Sequence, residues 1–105
     1  MSAQTEINEK PSLEVYKAIA MSTGHLSESA VTVLNCAADK GDQMVWRRDV
    51  GYIVKLFDDE QANLDWYGHN EPLYTIVVWA FEHGYRMIDF DSGAGTLPFF
   101  SVYDW

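Results

Sequence analysis

At 105 residues, with 48% apolar and 14% aromatic side chains, the chain is long enough to bury roughly two-thirds of its unfolded surface around one core, and its composition excludes a disordered polymer. Its single cysteine, Cys36, excludes an intramolecular disulfide scaffold and a Cys-based zinc finger, and fits a reducing cytoplasm. The net charge of −9 works against direct binding to phosphate backbones and favours a basic partner surface or high solubility.

Residues 1–12 are polar, mix charge signs and lack periodicity, which predicts a flexible arm before a single α+β domain over 13–105. The acidic, polar start has neither the basic region nor the apolar run of a signal peptide. The longest apolar stretch, Ile76 to Phe81, is far short of a membrane span. Leu13 to Met21 alternates with period 2 and predicts the first strand. Ser27 then stands where an N-cap would, Glu28 supplies a first-turn carboxylate, and Gly41 can end a helix over Glu28 to Lys40. Cys36, beside the apolar stripe of that helix, is expected to be a partly buried structural thiol.

Met44 to Phe57 reads as two strands around Arg47, Arg48, Asp49 and Gly51. Asp58 to His69 is acidic and contains Asn and Gly, which predicts a loop that exposes Trp66 and Tyr67. Asn70, Glu71 and Pro72 then form a helix start, with Gly84 at the stop. The helix between them is apolar nearly all round. Arg86 to Phe90 predicts a strand, Asp91 to Gly95 a turn, and Leu97 to Trp105 a final extended segment interrupted by Pro98. Trp105 is expected to be at least half buried. The economical architecture is two helices on one face of a mainly antiparallel sheet of four to five strands, with a ferredoxin-like arrangement as the specific expectation.

No phosphate-binding Gly-Lys-Ser loop, dinucleotide glycine fingerprint or Gly-x-Ser-x-Gly elbow occurs in the sequence. His25, His69 and His83 are too dispersed for a helical metal pair, so no metal or other cofactor is expected. Asp89 and Asp91 share one strand face about 7 Å apart, a spacing that suits a divalent cation or an acid and base pair. With no third ligand apparent, turn chemistry before Ser92-Gly93 is the expectation. Ser22, Thr23 and His25, after the first strand, can line a strand-end pocket or simply turn the chain and cap the next helix.

Ser22-Thr23-Gly24-His25-Leu26-Ser27, together with Ala80-Phe81-Glu82-His83-Gly84, Ile88-Asp89-Phe90-Asp91, Leu97-Pro98 and the ending Val102-Tyr103-Asp104-Trp105, resembles a small bacterial family of unknown function. That family typically starts Ser-Thr-Ala-His-Ile-Thr and ends Leu-Pro-x-aromatic-Asp-Trp. The likeness spans Ile19 to Trp105. Gly24 departs from the family's Ala, and Phe99, Phe100 and Ser101 are inserted before the closing aromatic-Asp-Trp. The resemblance implies cargo of plasmids, phages and integrative elements, with accessory roles that include inhibition of host defence, and it implies no catalytic residue.

The charge is unevenly distributed, with seven acids and six bases in residues 1–55 but nine acids and only Arg86 in residues 56–105. The primary expectation is therefore a cytoplasmic, non-enzymatic accessory protein that binds a protein partner, such as a basic nucleic-acid-binding protein, through an acidic face that mimics DNA charge. Its expected contact residues are Asp58, Asp59, Glu60, Asp65, Trp66 and Tyr67. Two alternatives stand beside it. One is a small-molecule or metal-dependent enzyme built on Ser22, His25, Asp89 and Asp91, and the other is a homodimer that buries Trp79, Phe99, Phe100 and Trp105.

Overall fold

The computed structural model describes residues 15–104. The expected N-terminal arm, Leu13, and Trp105 with its expected burial lie outside the described residues. In chain order the elements are β1 (Lys17–Met21), a short 3-10 turn (Thr23–His25), α1 (Glu28–Asp39), β2 (Val45–Arg48), β3 (Gly51–Lys55), α2 (Glu60–Tyr67), α3 (Glu71–Glu82) and β4 (Tyr85–Asp91). The chain is thus an α+β protein.

The strand order is β1-β4-β3-β2. β4 pairs antiparallel with β3 and β3 with β2, whereas β1 runs parallel to β4. The sheet is therefore mixed, which corrects the mainly antiparallel expectation, and nothing in this order establishes a ferredoxin-like arrangement. The physical reason lies in the crossover from β1, which reaches β4 only after three helices and a hairpin. Such non-local pairing leaves no trace in local periodicity.

Register explains which side of the sheet is covered. The row Ile19, Ile88, Val54, Val45 crosses all four strands on one face, followed by Met21 and Phe90. Ile88, Val54, Val45, Met21 and Phe90 are buried together with Leu34 of α1 and Leu73, Ile76, Val77 and Ala80 of α3. Burying a side chain such as Phe90 contributes roughly 2–3 kcal/mol. The alternate row, Ala20, Asp89, Ile53 and Trp46, looks out from the opposite face.

Both long helices begin where their capping chemistry places them. The Ser27 hydroxyl accepts from the Ala30 N–H at 3.1 Å, and the Asn70 side chain accepts from the Leu73 N–H at 3.1 Å. Gly84, at φ +86°, provides the left-handed turn into β4. At Gly51 the hairpin approaches β4 so closely that a Cβ would lie 1.8 Å from the Phe90 carbonyl oxygen, and only glycine fits there.

Three expectations are corrected. Asp58 to His69 is not a loop but contains α2, capped by Asp59, whose carboxylate accepts from the Ala62 N–H at 2.9 Å. Two expected helices become three. Leu97 to Asp104 forms no strand, because its backbone is held by side-chain and turn contacts rather than by a ladder. Cys36 is exposed rather than partly buried.

Candidate functional site

Ser22, Thr23 and His25 occupy the turn between β1 and α1. The Ser22 hydroxyl accepts from the Gly24 N–H at 2.9 Å and so caps the 3-10 turn. His25 is buried, and both of its ring nitrogens are engaged by the C-terminal segment. The Leu97 N–H donates to Nε2 at 2.8 Å, so the ring hydrogen sits on Nδ1, which donates to the Ser101 carbonyl at 2.9 Å. Phe100 sets its ring edge-on to the imidazole, with centroids 5.5 Å apart. Two backbone bonds complete the clasp, from the Ser22 N–H to the Gly95 carbonyl and from the Tyr103 N–H to the Gly24 carbonyl.

A histidine with both nitrogens bonded to backbone has no lone pair left for a metal or for a substrate proton in this conformation. The Ser22-to-Ser27 motif and the Leu97-to-Tyr103 ending are therefore two halves of one tail clasp. Gly24 leaves room that Val102 approaches. A Cβ there would lie 3.2 Å from Ser22 Oγ and 3.4 Å from Val102 Cγ1.

Asp89 and Asp91 sit elsewhere, on the open face of the sheet. Arg48 of β2 ion-pairs with Asp89 and lies 3.9 Å from Asp91, whose other oxygen accepts from the Gly93 N–H at 2.7 Å. Turn chemistry therefore accounts for Asp91 only, and Arg48, which sequence reasoning did not connect to either acid, offsets the charge of Asp89. A hollow of about 240 Å³ is lined by His25, Glu71, Thr75, Phe99 and Ser101 among others, and includes none of Ser22, Thr23, Asp89 and Asp91. Of the four residues of the enzyme reading, that hollow is lined by His25 alone. Among the described residues no group of three or more His, Cys, Asp or Glu side chains is arranged to hold a metal ion.

Trp79, Phe99 and Phe100 of the self-association reading pack within the chain. Trp79 stacks on His83 and Tyr85 and meets Phe99 and Phe100 at centroid distances of 5.4 and 5.5 Å. Phe99 remains 58% exposed.

The acidic segment is organised by what α2 buries. Asn63 turns inward, where Oδ1 accepts from the Phe57 N–H at 2.8 Å and Nδ2 donates to the Phe57 carbonyl at 3.1 Å. Tyr67, one turn later, is only 2% exposed and donates its hydroxyl to the Lys55 carbonyl. This corrects the expectation that Tyr67 is exposed for binding, since an i, i+4 pair fixes it on the inner face. Burial, with the nearby Asp42 charge adding to it, pushes the Tyr67 phenol well above the usual range.

The remaining positions point outward. Asp58, Asp59, Glu60, Leu64 and Asp65 are exposed, and Trp66 is 45% exposed. Trp66 meets Phe57 edge-on at 5.7 Å and stands between two hollows, one of about 410 Å³ shared with Met44 and Phe57 and one of about 340 Å³ shared with Val33, Cys36 and His69. Asp58 bonds Arg86 Nε at 2.8 Å, and Asp65 accepts from Gln61 at 3.0 Å. No helix among the described residues is long and apolar enough to cross a membrane.

No curated protein and no solved structure is significantly similar to this chain. Residues 18–105 match the C-terminal domain of the family of unknown function DUF5983. That span covers the turn, the sheet and the tail clasp, and the chain belongs to this family.

Proposed function

We propose that this chain is a binding module without catalytic activity that docks a basic protein surface through the outer face of α2. The observation that carries the reading is Trp66, half-exposed between two hollows on a helix that also exposes Glu60 and Asp65, with Asp58 and Asp59 exposed just before it. A rigid aromatic between two hollows, each also lined by Lys40 and Asp42, supplies the kind of anchor that dominates interface energy, and the exposed acids of the segment accelerate encounter with a cationic partner.

The family-like ends of the sequence extend this reading to an accessory protein of a plasmid, phage or integrative element. In that form the acidic helix occupies the nucleic-acid-binding surface of a host defence protein in place of DNA. It acts in the cytoplasm, where Cys36 stays reduced. A second reading, self-association, draws support from the uncovered sheet face, where Trp46 is exposed beside Ile53 and Asp89.

The test is affinity capture from the native host with three immobilised baits: the wild-type chain, Trp66→Ala, and a combined Asp58→Asn, Asp59→Asn, Asp65→Asn variant. The expected outcome is a basic protein held by the wild type and lost from both variants. Identical captured proteins on all three baits remove α2 from the interface.

A further inference from the structure

Three of the six Lys and Arg residues in the described segment, Lys17, Lys55 and Arg86, converge on a single groove in a chain whose net charge is −9. The groove encloses about 610 Å³ at the end of the sheet where β1 and β4 begin and β3 ends. That volume lies within the range of small-molecule sites. Tyr16, Met44, Leu56 and Phe57 provide apolar wall, and among the described residues Asp58 is the one acidic side chain lining it.

The three cations are not equivalent. Arg86 is fixed in place: it ion-pairs with Asp58, donates Nη1 to the carbonyls of Phe81 and Tyr85 at 3.2 and 2.9 Å, and lies 4.2 Å over the Phe81 ring. Lys17 and Lys55 have no carboxylate partner among the described residues. Their ammonium groups rest 4.9 Å from the Tyr85 ring centroid and 5.2 Å from the Tyr16 ring centroid. Lys17 pairs with Tyr85 and Lys55 with Met87 on opposite sides of β4, so their backbones stand two strand spacings apart across the sheet and two residues apart along it, about 12 Å. Two ammonium groups on four-carbon stems can both reach one anion placed between them, and such compact point charges suit phosphate.

We propose that this groove binds a small organic phosphate, with the phosphate held between Lys17 and Lys55 and an apolar body laid against Tyr16 and Phe57. The assignment rests on cations that lie outside the acidic helix, and since Met44, Phe57 and Asp58 border both sites, the lysine variants test it apart from the α2 docking reading. It also explains why uneven charge along the sequence does not exclude a phosphate: both lysines come from the nearly neutral half and are brought by the fold to the edge of the acidic one.

The experiment is an amide-resolved NMR titration of the full chain with inorganic phosphate and with phenyl phosphate, using benzyl alcohol as the uncharged control. Saturable shifts are expected at amides around Lys17, Lys55 and Arg86. The dissociation constant for inorganic phosphate should be on the order of millimolar, with phenyl phosphate at least about threefold tighter. The Lys17→Gln, Lys55→Gln double variant should weaken phosphate at least about tenfold, roughly the loss of one charge-assisted contact, with an unchanged melting temperature. Shifts that stay linear up to about 20 mM phosphate, well above the expected millimolar dissociation constant, overturn the proposal. So do equal shifts at Lys40, Arg47 and Arg48, or unchanged affinity in the double variant. Phenyl phosphate binding no tighter than inorganic phosphate overturns the apolar half of the assignment.

Discussion

The turn at Ser22 to His25 and the helix at Glu60 to Tyr67 both concentrate polar and aromatic residues, yet the fold uses them in opposite ways. In the turn, the polar atoms of Ser22 and His25 face backbone groups, and the C-terminal segment closes over them. In the helix, only Asn63 and Tyr67 turn inward, leaving Glu60, Asp65 and Trp66 at the surface, with Asp58 and Asp59 exposed just before it. Whether a polar cluster is structural or available to a partner is decided by where its hydrogen bonds go, not by its composition.

The comparison can be broken most forcefully at His25. Replacing it with Ala removes a donor and an acceptor, leaves the Leu97 N–H and the Ser101 carbonyl without that partner, and should cost roughly 2–4 kcal/mol in urea unfolding. A cost below about 0.5 kcal/mol, the range of ordinary surface substitutions, means that the clasp does not hold the tail. Asn63→Ala tests the inward side of the acidic helix and should cost roughly 1–3 kcal/mol, since it strands the Phe57 N–H and carbonyl. If Asn63→Ala is as mild as a surface change, α2 is not anchored in this way.

Smaller effects sharpen the contrast. Asp59→Ala removes the α2 cap and should cost about 1 kcal/mol, whereas Asp59→Asn keeps a good capping side chain and should be close to neutral. Equal losses in the two variants would show that charge rather than capping matters at Asp59. On the open sheet face, Arg48→Gln should cost under about 1 kcal/mol, because Arg48 and Asp89 are each about one-third exposed and solvent screens their attraction. A loss of several kcal/mol there would place the Arg48 cluster with the clasp as a structural element.

Much of the fold was legible because its signals are local. Ser27 with Glu28, and Asn70 with Pro72 and Gly84, mark the ends of α1 and α3, and the Val- and Tyr-rich run around Gly51 marks the hairpin. Helix α2 was read as a loop because its inward positions are Asn63 and Tyr67 rather than aliphatic side chains, so no apolar stripe announces it. The Asp59 cap three residues before Ala62 was the available signal. The tail was read as a strand because Leu97 to Tyr103 is apolar, while the partner that holds it, His25, lies more than seventy residues away. Separation in sequence also hid the parallel β1–β4 pair and the bond between Arg48 and Asp89, 41 residues apart.

The central claim is that α2 presents its charge and Trp66 to a basic partner, and the association kinetics of the captured protein at two ionic strengths test it most directly. Long-range attraction between an acidic face and a cationic partner speeds encounter and is screened by salt. Association should therefore slow as salt rises, the combined Asp58→Asn, Asp59→Asn, Asp65→Asn variant should lose most of that dependence, and Trp66→Ala should mainly speed dissociation. Salt-independent association, or wild-type kinetics in both variants, would contradict the account and shift attention to the open sheet face around Trp46.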